Sequence, residues 1–351
     1  MTAADPHARV LAFLHERRLL RIGERANLTP LTGGVSSDLW RVDLPTETIC
    51  VKGALAQLKV AHPWQAPVSR NEVEYDWLTF AAAACPGQVP RVIDHDPEAG
   101  LFTMEFLPPE SYPVWKTQLL DGRVDVTTAR QVGDLVGRLH AASAADPDCA
   151  ARFATDTNFD ALRIEPYLYV TAAAHPDLRA RLIELAGTTA RTYLAVVHGD
   201  VSPKNILIGP DGPVLIDAEC AWFGDPAFDI AFCLNHLLLK SVKLPGHAAE
   251  LGAAARALAD GHTRHIDWEQ PEAFEARVVA LLPALALARV DGTSPVEYLD
   301  AAQRHTIRGL ARALLRHPVT TLDELIDHWA ATRREHRRPP GSSNDASLGV
   351  V

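Results

Sequence analysis

The chain of 351 residues is longer than one typical domain, and a hydrophobic content of 47% supplies apolar surface for two sizeable cores. A net charge of -10 argues against the basic face that a nucleic-acid backbone requires, and is compatible with a cationic substrate. Five cysteines with no CxxC pair read as buried thiols of a reducing cytoplasm, and no apolar run approaches the roughly 18 residues of a membrane span or the pattern of a secretory signal.

In chain order, residues 5 to 21 place Val10, Leu11, Leu14, Leu19 and Leu20 at helical spacing, which predicts a leading helix. From Leu28 to Leu55 short β-branched runs are separated by Gly-Gly and Pro-Thr-Glu-Thr turn signals, the pattern of a three-stranded antiparallel meander. A helix is expected over about residues 70 to 84, followed by extended Val89 to Asp94, a turn, and the strand Leu101 to Phe106. Beyond Pro108 and Pro109 the pattern becomes helical, with amphipathic segments near 127 to 145, 159 to 193, 247 to 260, 271 to 290 and 296 to 315. Two apolar runs between residues 196 and 219 interrupt it, an island where a site is expected. The tail from 339 to 351 has the composition of a disordered end. The expected architecture is α+β and two-lobed: a small antiparallel-sheet lobe over residues 1 to 107, a junction at about 104 to 109, and a larger helical lobe over 108 to 338.

The island carries the chemistry. His198-Gly199-Asp200 is followed by Asn205 and then by Asp217 at the end of an apolar strand. Phosphoryl transfer needs a carboxylate to orient the acceptor hydroxyl and oxygen ligands for magnesium on the nucleotide phosphates, and these three residues can supply both. In the first lobe, Gly33, Gly34, Ser36 and Ser37 lie between two predicted strands, where glycines admit phosphates close to backbone N–H groups or simply make a hairpin. Lys52 sits in a strand so apolar that it must snorkel or be paired. Glu72 and Glu74 are its candidate partners, and Glu74 is favoured because Trp77, Leu78 and Ala81 continue its helical face. His262 and His265, three apart without a completing ligand, read as a solvated helix face, and the run Arg333 to Arg338 as a helix C-terminus.

These motifs resemble the aminoglycoside phosphotransferase superfamily, with its choline, homoserine and methylthioribose kinases, over roughly residues 28 to 240. The resemblance implies a protein-kinase-like fold, with ATP and Mg2+ as cofactors. By it, Asp200 is the catalytic base, Asn205 and Asp217 are metal ligands, Lys52 contacts the α- and β-phosphates, and Glu74 holds Lys52. Gly33, Gly34, Ser36 and Ser37 then form the phosphate loop, Glu105 and Leu107 meet adenine through their backbone, and Met104 backs the pocket. His198 braces the loop, His140 packs against it, and Asp229 is the buried aspartate that hydrogen-bonds it; Asp225 reads as a loop N-cap. The run from Ile216 to Glu219 is similar to methylthioribose kinases, as is the Arg70-x3-Glu74 spacing, which makes Glu219 either an additional metal ligand or a solvent-facing carboxylate. Ser-Pro-Lys-Asn after Asp200 departs from that branch and matches the aminoglycoside and choline kinase type.

The implied activity is transfer of the ATP γ-phosphate to a hydroxyl of a small molecule: an antibiotic, a sugar such as methylthioribose, or an amino alcohol. Only seven residues separate Asp217 from Asp225, too few for the segment on which protein kinases dock a peptide. A catalytically weak nucleotide sensor or scaffold is the non-enzyme alternative.

Overall fold

A computed structural model describes residues 6–31, 37–54 and 69–335. Gly33, Gly34 and Ser36, the end of the basic run from His336, and the tail lie outside the described residues. Helix α1 (Pro6–Glu16) stops earlier than its apolar spacing predicts, because Arg18 turns into the left-handed region at φ 59°. Leu20 still reaches the core, from the turn that follows.

The meander forms as expected: β1 (Asn27–Pro30), β2 (Ser37–Asp43) and β3 (Thr48–Ala54) pair antiparallel. After α2 (Arg70–Ala84), β4 (Val92–Asp96) and β5 (Leu101–Glu105) complete a five-stranded sheet in the order β1-β2-β3-β5-β4. Alternation along β3 decides what each face does. Ile49 and Val51 turn toward Val10, Phe13 and Leu14 of α1, whereas Cys50 joins the core around α2, the face that Lys52 shares. The lysine is thereby aimed at the junction with the second lobe.

That lobe begins with α3 (Trp115–Leu120) and α4 (Val126–Ala144), then the short α5 (Cys149–Arg152) and α6 (Asp156–Phe159). The single helical segment expected over 159 to 193 is broken. A π-helical stretch, Asp160–Tyr169, contains Pro166, which has no N–H to donate, and runs into α7 (Val170–Ala174). Pro176 then disfavours helical backbone at His175, and the chain restarts as α8 (Arg179–Ala190). The island folds into β6 (Ala195–Val197), β7 (Ile206–Gly209) and β8 (Gly212–Leu215), and a further strand without a sequence signal, β9 (Trp222–Gly224), pairs with β6.

The remaining helices are α9 (Ala227–Lys243), α10 (Ala248–Thr263), α11 (Pro271–Asp291), α12 (Ala301–Arg316) and α13 (Leu322–Glu335). Every residue of α9 from Ala227 to Val242 is buried, so it is the axis of the lobe. Helix α12 begins at Ala301, later than its apolar pattern, because the Asp300–Gln303 capping box sets its start. All five cysteines are free and buried, and no described helix is long and apolar enough to cross a membrane.

Helices α4 and α10 approach through glycines: a Cβ on Gly133 would overlap the Leu258 carbonyl, and one on Gly261 the Arg130 carbonyl. Alanine is the better helix former by about 1 kcal/mol, but overpacking costs about 1–3 kcal/mol. Gly133→Ala is therefore expected to lower the melting temperature in calorimetry; an unchanged or higher value would reject this packing.

Candidate active site

The loop after β6 is built around one buried carboxylate. Asp229, in the first turn of α9, accepts the backbone N–H of His198 at 2.7 Å and of Gly199 at 2.9 Å, and its Oδ2 lies 3.3 Å from His140 Nε2. Gly199 has φ 76°, and a Cβ there would stand 2.6 Å from the Cys220 carbonyl oxygen, so only glycine fits. The His198 ring accepts the Asp200 N–H on Nδ1 at 3.1 Å and lies 3.2 Å from the Ile216 carbonyl through Nε2. That pattern requires the neutral ring with its proton on Nε2, and burial holds its pKa below the ordinary histidine value.

Asp200 is thus held at the tip of a braced turn. Its Oδ2 lies 2.9 Å from Arg163 of the π-helical stretch and 3.1 Å from Lys204. Burial alone would raise its pKa, but Lys204 and Arg163 outweigh it and keep the carboxyl below its usual range. Asn205 donates Nδ2 to the Asp200 carbonyl at 3.2 Å, which leaves its amide oxygen as the atom available to a cation. The sequence singles out neither Arg163 nor Lys204: Lys204 stands in the Ser-Pro-Lys-Asn run without a motif role, and only the fold brings Arg163 near.

Opposite lies a charge cluster drawn from both lobes. Lys52 Nζ is 2.6 Å from Glu74, 2.6 Å from Asp217 and 3.1 Å from Glu219. Glu72 is exposed, so Glu74 is the helix α2 partner. Burial disfavours charge on Lys52, yet the three carboxylates raise its pKa well above the ordinary value. Glu219 is not a solvent-facing carboxylate. It is buried, 3.0 Å from Arg70 Nε, and accepts the Ser37 hydroxyl. Asp217 adopts φ 69°, a left-handed conformation that aspartate tolerates better than most residues. Oxygens of Glu74, Asp217 and Glu219 lie within 4.8 Å of one another around the Lys52 ammonium, and Asp217, the most exposed of the three, is the one that could also offer an oxygen to a hard cation such as magnesium.

At the junction, Met104 is buried opposite Cys50 in the sheet register. Glu105 donates its N–H to the Arg91 carbonyl at 2.9 Å, so a nucleobase contact at this residue is limited to its carbonyl; Leu107 is half-buried beside it. Asp225 accepts the Ala227 N–H at 3.0 Å and also pairs with Arg277 at 3.1 Å. The expected solvated face at His262 and His265 is corrected by the glycine crossing of α4 and α10. His262 is fully buried with Nε2 2.9 Å from His140 Nδ1, and His265 lies 2.9 Å from Asp134. His262 thus stands behind His140 and Asp229 in support of the loop.

A sheet lobe whose lysine is held by a helix glutamate, set over a helical lobe with a braced aspartate loop, is the protein-kinase-like arrangement. Solved structures share this fold over nearly the whole chain. Choline kinase from Cryptosporidium parvum matches with TM-score 0.56 at 13% identity, covering 92% of this chain and 99% of that one. A choline/ethanolamine kinase family protein from Mesorhizobium loti matches with TM-score 0.52 at 19% identity, covering 95% of each. The chain belongs to the phosphotransferase enzyme family, whose model matches residues 27–240. Among curated relatives, methylthioribose kinase of Pectobacterium atrosepticum is 28% identical over 262 residues, 66% of this chain and 64% of that protein. That of Yersinia enterocolitica is 26% identical over 259 residues, with the same coverage. The chain therefore spans less than two thirds of the length of these relatives.

The pKa values of His198 and His262 are both depressed, first of all by burial. Below the ordinary value of about 6.5 the unfolded chain binds protons that the folded chain refuses, so stability is full above that pH and is lost as pH falls. The melting temperature is expected to drop between about pH 7.5 and about pH 5.5, as stability falls by up to about 1.4 kcal/mol per histidine per pH unit. A flat profile would contradict their neutral burial.

Proposed function

We propose that the chain is an ATP-dependent kinase that transfers the γ-phosphate to a hydroxyl group of a small molecule. The observation that carries this is that the two clusters adjoin: Asn205 donates Nδ2 to the Asp200 carbonyl at 3.2 Å and accepts at 3.0 Å the N–H of Ile216, whose neighbour Asp217 lies 2.6 Å from Lys52. A base for the acceptor and an anchor for the phosphates therefore stand side by side.

In this reading the acceptor hydroxyl donates a hydrogen bond to Asp200. Its oxygen forms a bond to the γ-phosphorus as the bond to the β–γ bridging oxygen breaks, the proton passes to Asp200, and ADP leaves. The positive neighbours of Asp200 make it a weak base. That suits a loose transition state, in which the nucleophile needs orientation more than activation and gives up its proton late. Lys52, held by Glu74, contacts the α- and β-phosphates, and Ser37 belongs to the phosphate loop with Gly33, Gly34 and Ser36. Met104, Glu105 and Leu107 receive the adenine. Asp217, Asn205 and Glu219 would hold Mg2+, which when bound neutralises charge on the phosphates. A small acceptor is supported by the seven residues between Asp217 and Asp225, of which Ala218, Cys220, Ala221 and Trp222 are buried, too short and too enclosed a run to dock a peptide. A sugar hydroxyl is supported by the methylthioribose kinase relatives.

Asp200→Asn is expected to reduce kcat by about 10²–10⁴-fold while the Kd for MgATP changes little. Because the Asp200 pKa is depressed, wild-type kcat/KM should show no acid limb from this residue above about pH 4. Wild-type turnover in Asp200→Asn would remove the assignment.

A further inference from the structure

Lys240 is fully buried in α9, the axis of the second lobe. Among the described residues no carboxylate forms an ion pair with it, and its one hydrogen bond there reaches the His236 carbonyl at 3.5 Å. Its Nζ lies 5.1 Å from the centre of the Tyr298 ring. Burial pushes its pKa down to about 7, with Lys116 adding to the effect. An uncompensated ammonium inside a protein is costly, and a counter-ion that binds there removes that cost.

Its surroundings are cationic as well. His236 is buried and its pKa is depressed, by burial first and then by the positive charge of Lys240, Arg289, Lys204 and Lys116. Arg289 Nη1 donates to the Tyr167 hydroxyl at 3.1 Å and to the carbonyl and hydroxyl of Ser294, while its Nε and the Tyr298 hydroxyl are buried without partners among the described residues. Glu297, the carboxylate that acts on Lys240, is itself taken by Lys116. Tyr167 links this cationic ground to the proposed base: Arg163, 2.9 Å from Asp200, lies 5.7 Å from the centre of its ring, and Arg289 lies 5.8 Å from it. Orphaned donors and excess positive charge, behind an aspartate that must receive a hydroxyl, ask for an anion on the same molecule. An aminoglycoside or an amino alcohol would bring like charge to like.

We propose that the acceptor is a hydroxylated small molecule bearing an oxyanion, a carboxylate or a phosphate, and that Lys240, Arg289 and the Tyr298 hydroxyl bind the oxyanion while the hydroxyl lies at Asp200. This rests on the phosphotransfer reading of Asp200, and it runs against the cationic substrate that the overall acidity of the chain allows. Lys240 and Arg289 are then specificity residues of the helical lobe.

The test compares matched acceptors with MgATP and the full chain: a pentose, its aldonic acid, its phosphate ester and an amino sugar, read by ADP release and product mass. An anionic member should exceed the uncharged pentose in kcat/KM by about tenfold or more, with the acid and the ester distinguishing the two oxyanions. Lys240→Met should raise KM for that member about tenfold or more beyond any change it makes for the uncharged pentose; Lys240→Arg should restore part of that difference. Independently of turnover, inorganic phosphate or the aldonic acid should raise the melting temperature of the wild type but not of Lys240→Met. Preference for the neutral or aminated acceptor, or equal anion stabilisation of both proteins, overturns the proposal. Selective stabilisation with no acceptor phosphorylated would keep the anion site and reject the kinase reading instead.

Discussion

The interaction on which the rest depends is the buried ammonium of Lys52, within 3.1 Å of three carboxylates. Desolvating such charges costs several kcal/mol per ion, and breaking one pair leaves its partner stranded. The partners come from separate parts of the chain: Lys52 from the sheet, Glu74 from α2, Asp217 and Glu219 from the segment after β8 in the helical lobe. The cluster can therefore form only when both lobes have folded and met. Arg70, one helical turn before Glu74, secures Glu219 from the far side. The sheet register that turns Lys52 away from α1 is the local cause of this arrangement.

A second constraint sits at Asp229. One carboxylate takes two successive backbone N–H groups, and the second of them belongs to a left-handed glycine with no room for a Cβ. The geometry of the Asp200 turn is thus set by groups that do not face the cleft, including His140 and His262 behind it. Asp200 itself is left with two cations and a position near Asp217. The Lys52 cluster fixes Asp217, and the Asp229 cluster fixes the turn that carries Asp200.

Much of this is legible in the sequence because it is written in short-range patterns. The meander around Lys52 follows from alternation and turn residues, α2 from its apolar stripe, and the Asp200, Asn205 and Asp217 set from motif spacing. The Glu74 preference comes from the same stripe. What is not legible depends on distant packing. Arg163 reaches Asp200 from a π-helical stretch that, by its apolar spacing, reads as part of one long helix. His262 is buried because glycines of α4 and α10 let those helices close, whereas spacing alone makes it look exposed. Glu219 is buried because Arg70 and Ser37 meet it from the other lobe. Lys240, near the end of an apolar helix, gives no sign in the sequence that no carboxylate among the described residues pairs with it.

The most direct measurement is a crystal structure of the full chain with magnesium and a non-hydrolysable ATP analogue. The account predicts the triphosphate between the two clusters, its α- and β-phosphates at Lys52, its terminal phosphate facing Asp200, and the metal on Asp217 and Asn205. A nucleotide bound elsewhere, with Lys52 still enclosed only by Glu74, Asp217 and Glu219, would contradict it.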